Sequence, residues 1–425
     1  RRVSEALAET PWYLRVLRDE GAVVDNLATV LGTSKLVPDL LVRAPEVLRL
    51  LGNPAELTAK RPEEVAAALQ QAVRRQTFLY NAVSTARSLR RHEMLRVACA
   101  DVLGLLAVPE VCAALSSVWD AVLDATLAVS LARRPSGVAR IAIIGMGRLG
   151  GSELGYGADA DVLFVCEPYD GVSDREAVEF ATEVCSSLSR LLGAPSQDPA
   201  MKVDTDLRPE GRQGPLVRTL SSYQAYYDRW GEVWEAQALL RARPVAGDED
   251  LARRFIGMIE PVRYPAGGLT ADRAREVRRI KARVDSERLP RGTNPRTNTK
   301  LGPGGLADVE WTVQLLQLMH GHEIPELRTV STLQALQVLQ DKGVVAEQDA
   351  VTLRDAWLLA TRVRNAAALV RGKQVDQVPT TGKELASVAR IVGYGPDTDP
   401  GEFLDSYLRT MRRSRAVVER IFYRS

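Results

Sequence analysis

The stretch RIAIIGMGRLGGSELGYGADADVLFVCEP, residues 140–168, combines two patterns that indicate different chemistry. Its first half has the glycine spacing G-x-G-x-x-G after an apolar run, which is typical of a dinucleotide-binding turn. Its second half places Asp159 and Asp161 at the start of the run Val-Leu-Phe-Val, which predicts a carboxylate pair on a strand. The spacing around these residues decides between the two interpretations.

A dinucleotide-binding turn leads into a crossover helix and a parallel strand, which together need at least about 10–12 residues. Only eight residues separate Gly150 from Asp159, and Gly155 and Gly157 interrupt them. Each glycine costs roughly 1 kcal/mol in a helix interior. Glu167 stands where a ribose-binding acid is expected, but no full helix precedes its strand. The sequence therefore argues against an NAD-dependent oxidoreductase.

The carboxylate pair explains more of the stretch. Alternate side chains of a strand share a face, so Asp159 and Asp161 are expected to project together while Val162 and Phe164 enter the core. Two adjacent carboxylates repel each other unless a cation lies between them. Mg²⁺ is bound by a few carboxylates together with substrate phosphates. We therefore predict a magnesium site; a pair of solvated turn aspartates is the alternative for any isolated D-x-D.

A third carboxylate is expected from MKVDTDLRPEGRQGPL, residues 201–216. Its alternating pattern predicts a strand over 202–207, with Asp204 and Asp206 on one face. If that strand lies beside the first, three carboxylates meet, and such a site can hold two metal ions. Basic side chains nearby could bind triphosphate oxygens or form surface salt bridges. They are Arg208, Arg212 and Arg218.

The composition excludes several classes of function. Lys and Arg number 56 against 54 Asp and Glu, and only 5% of residues are aromatic, which argues against nucleic-acid or membrane partners. The four cysteines are widely spaced, which favours a reducing cytoplasm over a disulfide framework or a zinc site. We see neither a signal peptide nor an apolar run of about 18 residues. Because the chain does not begin with Met, we expect a fragment of a longer protein.

The secondary structure that the sequence pattern predicts divides the chain into three regions: helical over 1–135, mixed α/β over 136–265, and helical over 266–425. In the first, residues 63–89 place four apolar side chains at helical spacing, namely Val65, Leu69, Val73 and Phe78. The middle region has short β-branched runs at 141–144 and 162–165, and an amphipathic helix is predicted over 174–192. In the third, residues 351–372 form the apolar stripe of a bundle helix that Gly372 is placed to end.

Several long motifs, in order, resemble those of the glutamine synthetase adenylyltransferase family, a branch of the DNA polymerase β-like nucleotidyltransferase superfamily. The motifs are GMGRLGGSELGYGADADVLFV (145–165), VDTDLRPEGRQGPLV (203–217), EVWEAQALLRARPVAGD (232–248), KLGPGGLADVEWTVQLLQL (300–318) and RRSRAVVERIF (412–422). The resemblance covers most of residues 139–425. It implies an α+β fold in which a polymerase β-like domain with a mixed sheet lies between an N-terminal helical region and a C-terminal helical bundle.

The resemblance also implies a reaction and partners. The reaction is transfer of AMP from ATP to a tyrosine hydroxyl of glutamine synthetase with release of pyrophosphate, regulated by a PII-type signalling protein. Full-length members carry one module that attaches AMP and one that removes it, and the ELGYG and ADVEW spellings resemble the attaching half. The removing half, and a uridylyltransferase acting on a PII signalling protein, are the alternatives. A nucleotide-sensing module without catalytic activity is a third, against which the intact acidic set argues.

The resemblance implies site residues in the motifs of the middle region, with two further candidates in the third region. Two Mg²⁺ ions would be held by Asp159, Asp161 and Asp204, with Asp204 preferred over Asp206 because Asp206 stands where the family has Arg. The nucleotide contacts would be Gly147, Arg148, Gly150, Gly151, Ser152, Arg208 and Arg241. Further candidates are Asp206, Glu153, Asp308 and Glu310. Arg148 and Arg241 replace family lysines, which keeps the charge but not the geometry.

Overall fold

The computed structural model describes residues 2–8, 11–58, 60–289 and 291–424, and its first part is helical. The helices there are α1 (Arg2–Leu7), α2 (Pro11–Asp19), α3 (Gly21–Thr33), α4 (Leu36–Leu41), α5 (Pro54–Leu57), α6 (Pro62–Arg74), α7 (Leu79–Val102) and α8 (Val108–Ala132), with a 3₁₀ segment at Pro45–Gly52. The prediction that this region is helical is confirmed.

The middle of the chain alternates strands and helices. They are β1 (Ala139–Gly145), α9 (Gly147–Gly150), β2 (Ala160–Pro168), α10 (Asp174–Gly193), β3 (Val203–Asp204), β4 (Val217–Thr219), α11 (Leu220–Trp230), α12 (Val233–Leu239), β5 (Arg243–Gly247) and α13 (Glu249–Arg263). Helix α10 confirms the prediction over 174–192, and the Ser173 side chain caps it by accepting a hydrogen bond from the backbone N–H of Glu176 at 3.2 Å.

The last part of the chain is helical again. Its helices are α14 (Ala271–Glu287), α15 (Leu306–His320), α16 (Thr332–Asp341), α17 (Glu347–Arg371), α18 (Gly382–Val392) and α19 (Pro400–Val418), followed by a π-helical turn at Glu419–Tyr423. Helix α17 buries the predicted apolar stripe, and Gly372 ends it with φ +73°. That left-handed conformation favours glycine, so the predicted helix end is confirmed.

The strands form a single mixed sheet in the order β3-β2-β1-β5, with β4 also paired to β2. Strands β1 and β2 are antiparallel, with Gly145 opposite Val162. A dinucleotide-binding crossover joins parallel strands, so this topology excludes the arrangement that the glycine spacing imitates. Glu167 is instead held in ion pairs by Arg254 and Arg140, at 2.7 and 3.2 Å.

Both faces of the sheet are covered. Val162 and Phe164 lie in the main core with α8 and α10, as predicted. The opposite face is buried as well: Leu163 and Val165 pack in a second core with Phe255 and other side chains of α11 and α13. Helices from later in the chain therefore cover the second face of β2. Of the residues of β2, Asp161, Glu167 and Pro168 lie outside these cores.

Two expectations are corrected. The strand predicted over 202–207 is only Val203–Asp204, because the Asp204 carboxylate accepts the backbone N–H of Asp206 at 2.8 Å and turns the chain. Phe78 does not continue the stripe of Val65, Leu69 and Val73. It stands at the junction between α6 and α7 and is 68% exposed.

Helix α8 is long and apolar enough to cross a membrane by length and composition, which corrects the expectation that no such run exists. Its most apolar stretch is 72% buried within the protein, as in a core helix. Its two aspartates, Asp120 and Asp124, contact β5: Asp120 pairs with Arg243 at 2.9 Å, and Asp124 accepts from the backbone N–H of Gly247 at 3.3 Å.

The two-sided burial of β2 gives a direct test of this packing. Replacing Phe164, which is 1% exposed, by Ala should lower the free energy of unfolding by about 3–5 kcal/mol. The matched change at exposed Phe78 should alter it by less than about 0.5 kcal/mol. Urea unfolding followed by circular dichroism measures both. Equal losses in the two variants would contradict the described core.

Candidate active site

Asp161 and Asp204 lie side by side at the edge of the sheet. Asp161 is the second residue of β2 and pairs in parallel register with Asp204, the last residue of β3. The backbone N–H of Ala160 donates to the carbonyl oxygen of Lys202 at 3.0 Å and fixes this register. Paired residues of neighbouring strands point to the same face of a sheet, so the two carboxylates share one face. The predicted meeting of the two acidic segments is confirmed.

This arrangement destabilises the charged form of the Asp161 carboxyl group. Its pKa is raised to about 6, first by burial and then by the charge of Asp204, with a smaller contribution from Asp159. The positive charges of Lys300 and Lys202 oppose the shift. A carboxyl with a raised pKa is one whose charged form the protein alone does not fully stabilise. An added cation would stabilise it.

Gly147 allows the chain to pass directly beside this carboxylate. It has φ +50°, and a Cβ atom there would overlap Oδ2 of Asp161. The neighbouring backbone N–H of Met146 donates to the carbonyl oxygen of Asp161 at 2.8 Å. The glycine pattern and the carboxylate pair, which the sequence offered as alternatives, are therefore parts of one structure.

Asp159 stands just before β2 and is turned toward Lys202, whose Nζ lies 3.0 Å from its Oδ2. Within the described ranges, no three His, Cys, Asp or Glu side chains lie close enough together to form a ready metal site. Asp159 is thus paired with Lys202 and is not grouped with Asp161 and Asp204.

The carboxylates open onto a cleft of ≈ 340 Å³ between the sheet edge and the C-terminal helices. The side chains that line it are mostly charged or polar: Arg148, Asp159, Asp161, Asp204, Arg241, Lys300, Glu310, Gln314, Arg364 and Gln374. Four of these are cations, and they stand close enough to the acidic edge to share the cleft with it. Such a mixture suits a ligand that carries both phosphates and bound cations.

Arg148 is held at the wall of this cleft by three contacts. Its Nε donates to the carbonyl oxygen of Glu153 at 2.7 Å, and its Nη1 lies 3.6 Å from Oε1 of Glu310. Its guanidinium lies over the Trp357 ring, 5.7 Å from the centroid. The aromatic ring and the carboxylate fix the position of the cation. Its side chain is 15% exposed and lines the cleft, where an anion can reach it.

Comparison with known proteins now decides the family. A family model described as glutamate-ammonia ligase adenylyltransferase matches residues 24–258, which is more than half of the chain. The chain belongs to this family. A second model, described as GlnD PII-uridylyltransferase, matches residues 274–422 in the C-terminal helices.

Curated relatives agree with the family assignment. The chain is 58% identical over 431 residues to the bifunctional glutamine synthetase adenylyltransferase/adenylyl-removing enzyme of Nocardia farcinica. It is 54% identical over 429 residues to the enzyme of the same name from Mycobacterium marinum, and 55% identical over 429 residues to that of Mycobacterium tuberculosis. Each alignment covers 99% of this chain and 43% of the relative. The chain thus spans less than half the length of these relatives.

Two family-implied residues, Glu153 and Arg241, form a buried bridge between the sheet region and the C-terminal helices. Arg241 Nη1 donates to Glu153 Oε2 at 2.6 Å, and its Nη2 donates to Oγ1 of Thr332 at 2.6 Å. The backbone N–H of Thr332 donates to Glu153 Oε1 at 2.7 Å. Burial alone would lower the pKa of Arg241, but the charges of Glu153 and Glu310 outweigh it and raise the pKa. Arg241 is therefore committed to Glu153 and positions the cleft wall.

The glycines of the family motif other than Gly147 lie behind the cleft. A Cβ atom on Gly150 would overlap the carbonyl oxygen of Arg241, and one on Gly151 would overlap the Arg241 guanidinium. Ser152 follows with φ +55° and does not line the cleft. The structure thus places these three residues where α9 packs against the start of β5, away from the carboxylates.

The arginines after β3 fasten the loop that carries them. Arg208 is buried and donates to the carbonyl oxygens of Gly214 and Thr205 at 3.1 and 2.9 Å. Arg212 pairs with Asp206 at 2.8 Å, and Arg218 pairs with Glu210. Asp206 therefore points away from the Asp161–Asp204 pair, and none of these arginines lines the cleft.

Asp308 and Glu310, at the start of α15, have different surroundings. Asp308 is 3% exposed and is held by Lys281 Nζ at 2.6 Å and Arg415 Nη1 at 3.0 Å, so it ties together three helices of the bundle. Glu310 lines the cleft opposite Arg148 and accepts from Nε1 of Trp357 at 3.4 Å. Of the two candidates, only Glu310 faces the site.

Three cations in or beside the cleft were not singled out from the sequence. Lys300 ends the basic segment 272–300, and its place two residues before the GPGG turn at 302–305 was the signal that could have found it. Lys202 directly precedes β3. Arg364 lies on the buried side of α17, where burial lowers its pKa while Asp376, 2.6 Å away, opposes the shift. An arginine on an otherwise apolar helix face was its only signal.

The raised pKa of Asp161 predicts a pH-dependent stability. Its folded pKa of about 6 lies above the value of about 3.9 in an unfolded chain, so the folded state binds the proton more tightly. Stability is therefore lost as pH rises from about 4 to about 6. In chelator-treated protein, Asp161→Asn should raise the free energy of unfolding, and the gain should be about 1 kcal/mol larger at pH 7.5 than at pH 5.

Denaturant unfolding at the two pH values measures this gain, with exposed Asp170→Asn as the matched control. The control should show no such pH dependence. If Asp161→Asn is destabilising at pH 7.5, or if its effect is the same at both pH values, the repulsion described at this carboxylate is absent.

Proposed function

We propose that this chain transfers AMP from ATP to a tyrosine hydroxyl of glutamine synthetase and releases pyrophosphate. The observation that carries the proposal is the Asp161–Asp204 pair at the mouth of a cleft whose other wall is cationic. The relatives' names, which combine glutamine synthetase adenylyltransferase and adenylyl-removing activities, support this class of reaction. As the chain corresponds to part of those relatives, the activity is proposed for this part alone.

We further propose that residues 136–265 form a polymerase β-like nucleotidyltransferase domain between a helical region at 1–135 and a helical bundle at 266–425. A small mixed sheet with carboxylates on neighbouring strands supports this, because that fold must bring acids from separate strands to one edge. The antiparallel β1–β2 pair, joined through the glycine-rich segment, places the acidic end of β2 beside Gly147.

Mg²⁺ fits the residues present, with two ions proposed. Asp159, Asp161 and Asp204 offer only carboxylate oxygens, which hard divalent cations prefer, and the raised pKa of Asp161 indicates a site short of positive charge. When bound, Mg²⁺ would neutralise phosphate charge and favour ionisation of the attacking hydroxyl. Lys202 forms an ion pair with Asp159, and a divalent cation would compete with Lys202 for the Asp159 carboxylate.

The residues of the chain would act by binding and positioning. Arg148 and Lys300 line the cleft near the carboxylates and would bind triphosphate oxygens, which fixes the α-phosphorus for in-line attack. Gly147 lets the backbone pass beside the Asp161 carboxylate with no side chain between them. In the transfer, a bond forms between the tyrosine oxygen and the α-phosphorus, the bond to pyrophosphate breaks, and the hydroxyl proton is released.

We propose the attaching half of the enzyme on the ELGYG and ADVEW spellings, with the AMP-removing half as the alternative. Because of the GlnD PII-uridylyltransferase match over 274–422, we also propose a PII signalling protein as a partner, either as a regulator or as an alternative substrate. That match covers the C-terminal helices and excludes the carboxylates, so it bears on regulation more than on chemistry. The four buried free cysteines suit a cytoplasmic location.

The proposal predicts that labelled ATP with Mg²⁺ puts label on a tyrosine of glutamine synthetase. Asp161→Asn and Asp204→Asn should each lower the initial rate by about 100-fold or more, because each removes charge at the reacting phosphate. Asp206→Asn, two residues from Asp204 but turned toward Arg212, should retain most of the rate. Circular dichroism shows whether each variant is folded.

Different outcomes separate the alternatives. Absence of label on glutamine synthetase would contradict the adenylylation proposal. Release of label from adenylylated glutamine synthetase in the presence of phosphate would identify the removing half. Labelling of a PII protein by UTP would support the uridylyltransferase.

A further inference from the structure

A second cavity, of ≈ 350 Å³, lies where the N-terminal helices meet the sheet region and α17. Its walls come from α4 and α7, from the loop 196–200 after α10, from the turn at 156–157 and from the end of α17. We call it the Arg90 cavity after the α7 side chain that lines it. It is separate from the carboxylate cleft, and nothing in the proposed transfer uses it.

Arg90 is a buried cation without a hydrogen-bonded counter-ion. It is 5% exposed, and its Nη1 has no hydrogen-bond partner in the part of the chain that the structure describes. Burial lowers the pKa of Arg90 to about 10, and the nearby charge of Arg87 adds to the effect while Asp198 opposes it. Its guanidinium lies over the Trp119 ring, 5.5 Å from the centroid. A buried charge left in this state is strongly destabilising.

The neighbouring arginines of α7 show that the loop after α10 does not satisfy Arg90. Arg87 donates to the carbonyl oxygens of Ala194 and Asp198 at 2.6 and 2.9 Å. Arg91 pairs with the Asp198 carboxylate. Asp39, the other acid that lines the cavity, has an interaction of its own. Asp198, the acid that acts on Arg90 through its charge, is therefore engaged by Arg87 and Arg91.

We propose that the Arg90 cavity binds a small organic carboxylate, whose anionic group pairs with Arg90 and whose apolar body packs on Leu36, Leu40 and Met94. A guanidinium pairs with carboxylate and phosphate alike. The charged part of the lining is mixed, with Asp39 and Asp198 beside Arg43 and Lys373. The apolar side chains are what favour an organic anion over inorganic phosphate. The volume lies at the small end of ligand pockets and fits a molecule of modest size.

The cavity shares a wall with the carboxylate cleft. Gln374 lines both, and in the amide orientation that satisfies its neighbours its nitrogen donates to the carbonyl oxygen of Gly157 at 2.8 Å. Gly157 lies two residues before Asp159. A ligand in the Arg90 cavity would therefore touch the segment that carries Asp159. Any effect on AMP transfer rests on the proposed function, whereas binding itself does not.

Sodium hexanoate is a suitable probe, tested on the nucleotide-free chain by calorimetric titration and thermal unfolding. Hexanoate should bind and raise the Tm, and inorganic phosphate and hexylamine at equal concentration should do so less. Arg90→Met, which keeps the volume and removes the charge, should raise the Tm of the ligand-free protein and weaken hexanoate binding by about tenfold or more. Ala200→Trp, at an exposed lining position, should also weaken binding.

Arg74→Gln, an exposed arginine on α6, is the charge control and should leave both Tm and binding unchanged. The proposal is overturned if hexanoate does not bind, or if Arg90→Met binds it as tightly as Arg74→Gln does. It is also overturned if Arg90→Met lowers the Tm of the ligand-free protein, as expected for a purely structural arginine. Tighter binding of phosphate than of hexanoate would overturn the assignment of a carboxylate.

Discussion

The parallel register that sets Asp161 opposite Asp204 is the constraint on which the rest of the site depends. Two like charges at paired positions are unfavourable, and here one of them is also largely buried. The sheet tolerates this because β2 is anchored on both faces by apolar side chains, with Phe164 on one side and Leu163 on the other. The stability of the core thus holds together a pair that would otherwise separate, and leaves it poised to gain from a bound cation.

The C-terminal helices contribute charged side chains to the cleft at this edge of the sheet. The buried Glu153–Arg241–Thr332 bridge fixes α16 against the sheet region, and it brings Glu310 of α15 to within 3.6 Å of Arg148. Charged groups from three distant parts of the chain thereby meet in one cleft. The middle region alone therefore does not determine where the cations of the cleft lie, because Lys300 and Arg364 come from the C-terminal region. A site of this kind depends on the docking of the bundle as much as on the sheet.

The sequence predicted the parts of the fold that depend on local pattern. Short apolar runs located β1 and β2, helical spacing located α10 and α17, and Gly372 marked a helix end through its backbone freedom. Prediction failed where a side-chain contact or the packing of a distant segment determines the local structure. The strand at Asp204 is cut short by its own carboxylate. The helices that cover the second face of β2 lie more than 50 residues later in the chain, and the local pattern does not indicate that they pack there. Gly150 and Gly151 match a phosphate-binding pattern, but their surroundings at Arg241 are set by tertiary packing. Lys300 and Arg364 line the cleft because α15 and α17 dock against the sheet region, and the local sequence pattern does not predict that docking.

The central claim is that Asp161 and Asp204 together bind a divalent cation beside a nucleotide. The most direct measurement is a crystal structure of the chain with Mn²⁺ and a non-hydrolysable ATP analogue, in which anomalous scattering locates the metal. We expect a metal bound by the carboxylates of both residues, with the triphosphate along Arg148. A nucleotide bound with its metal elsewhere, and with Asp161 and Asp204 making no contact to it, would contradict the account.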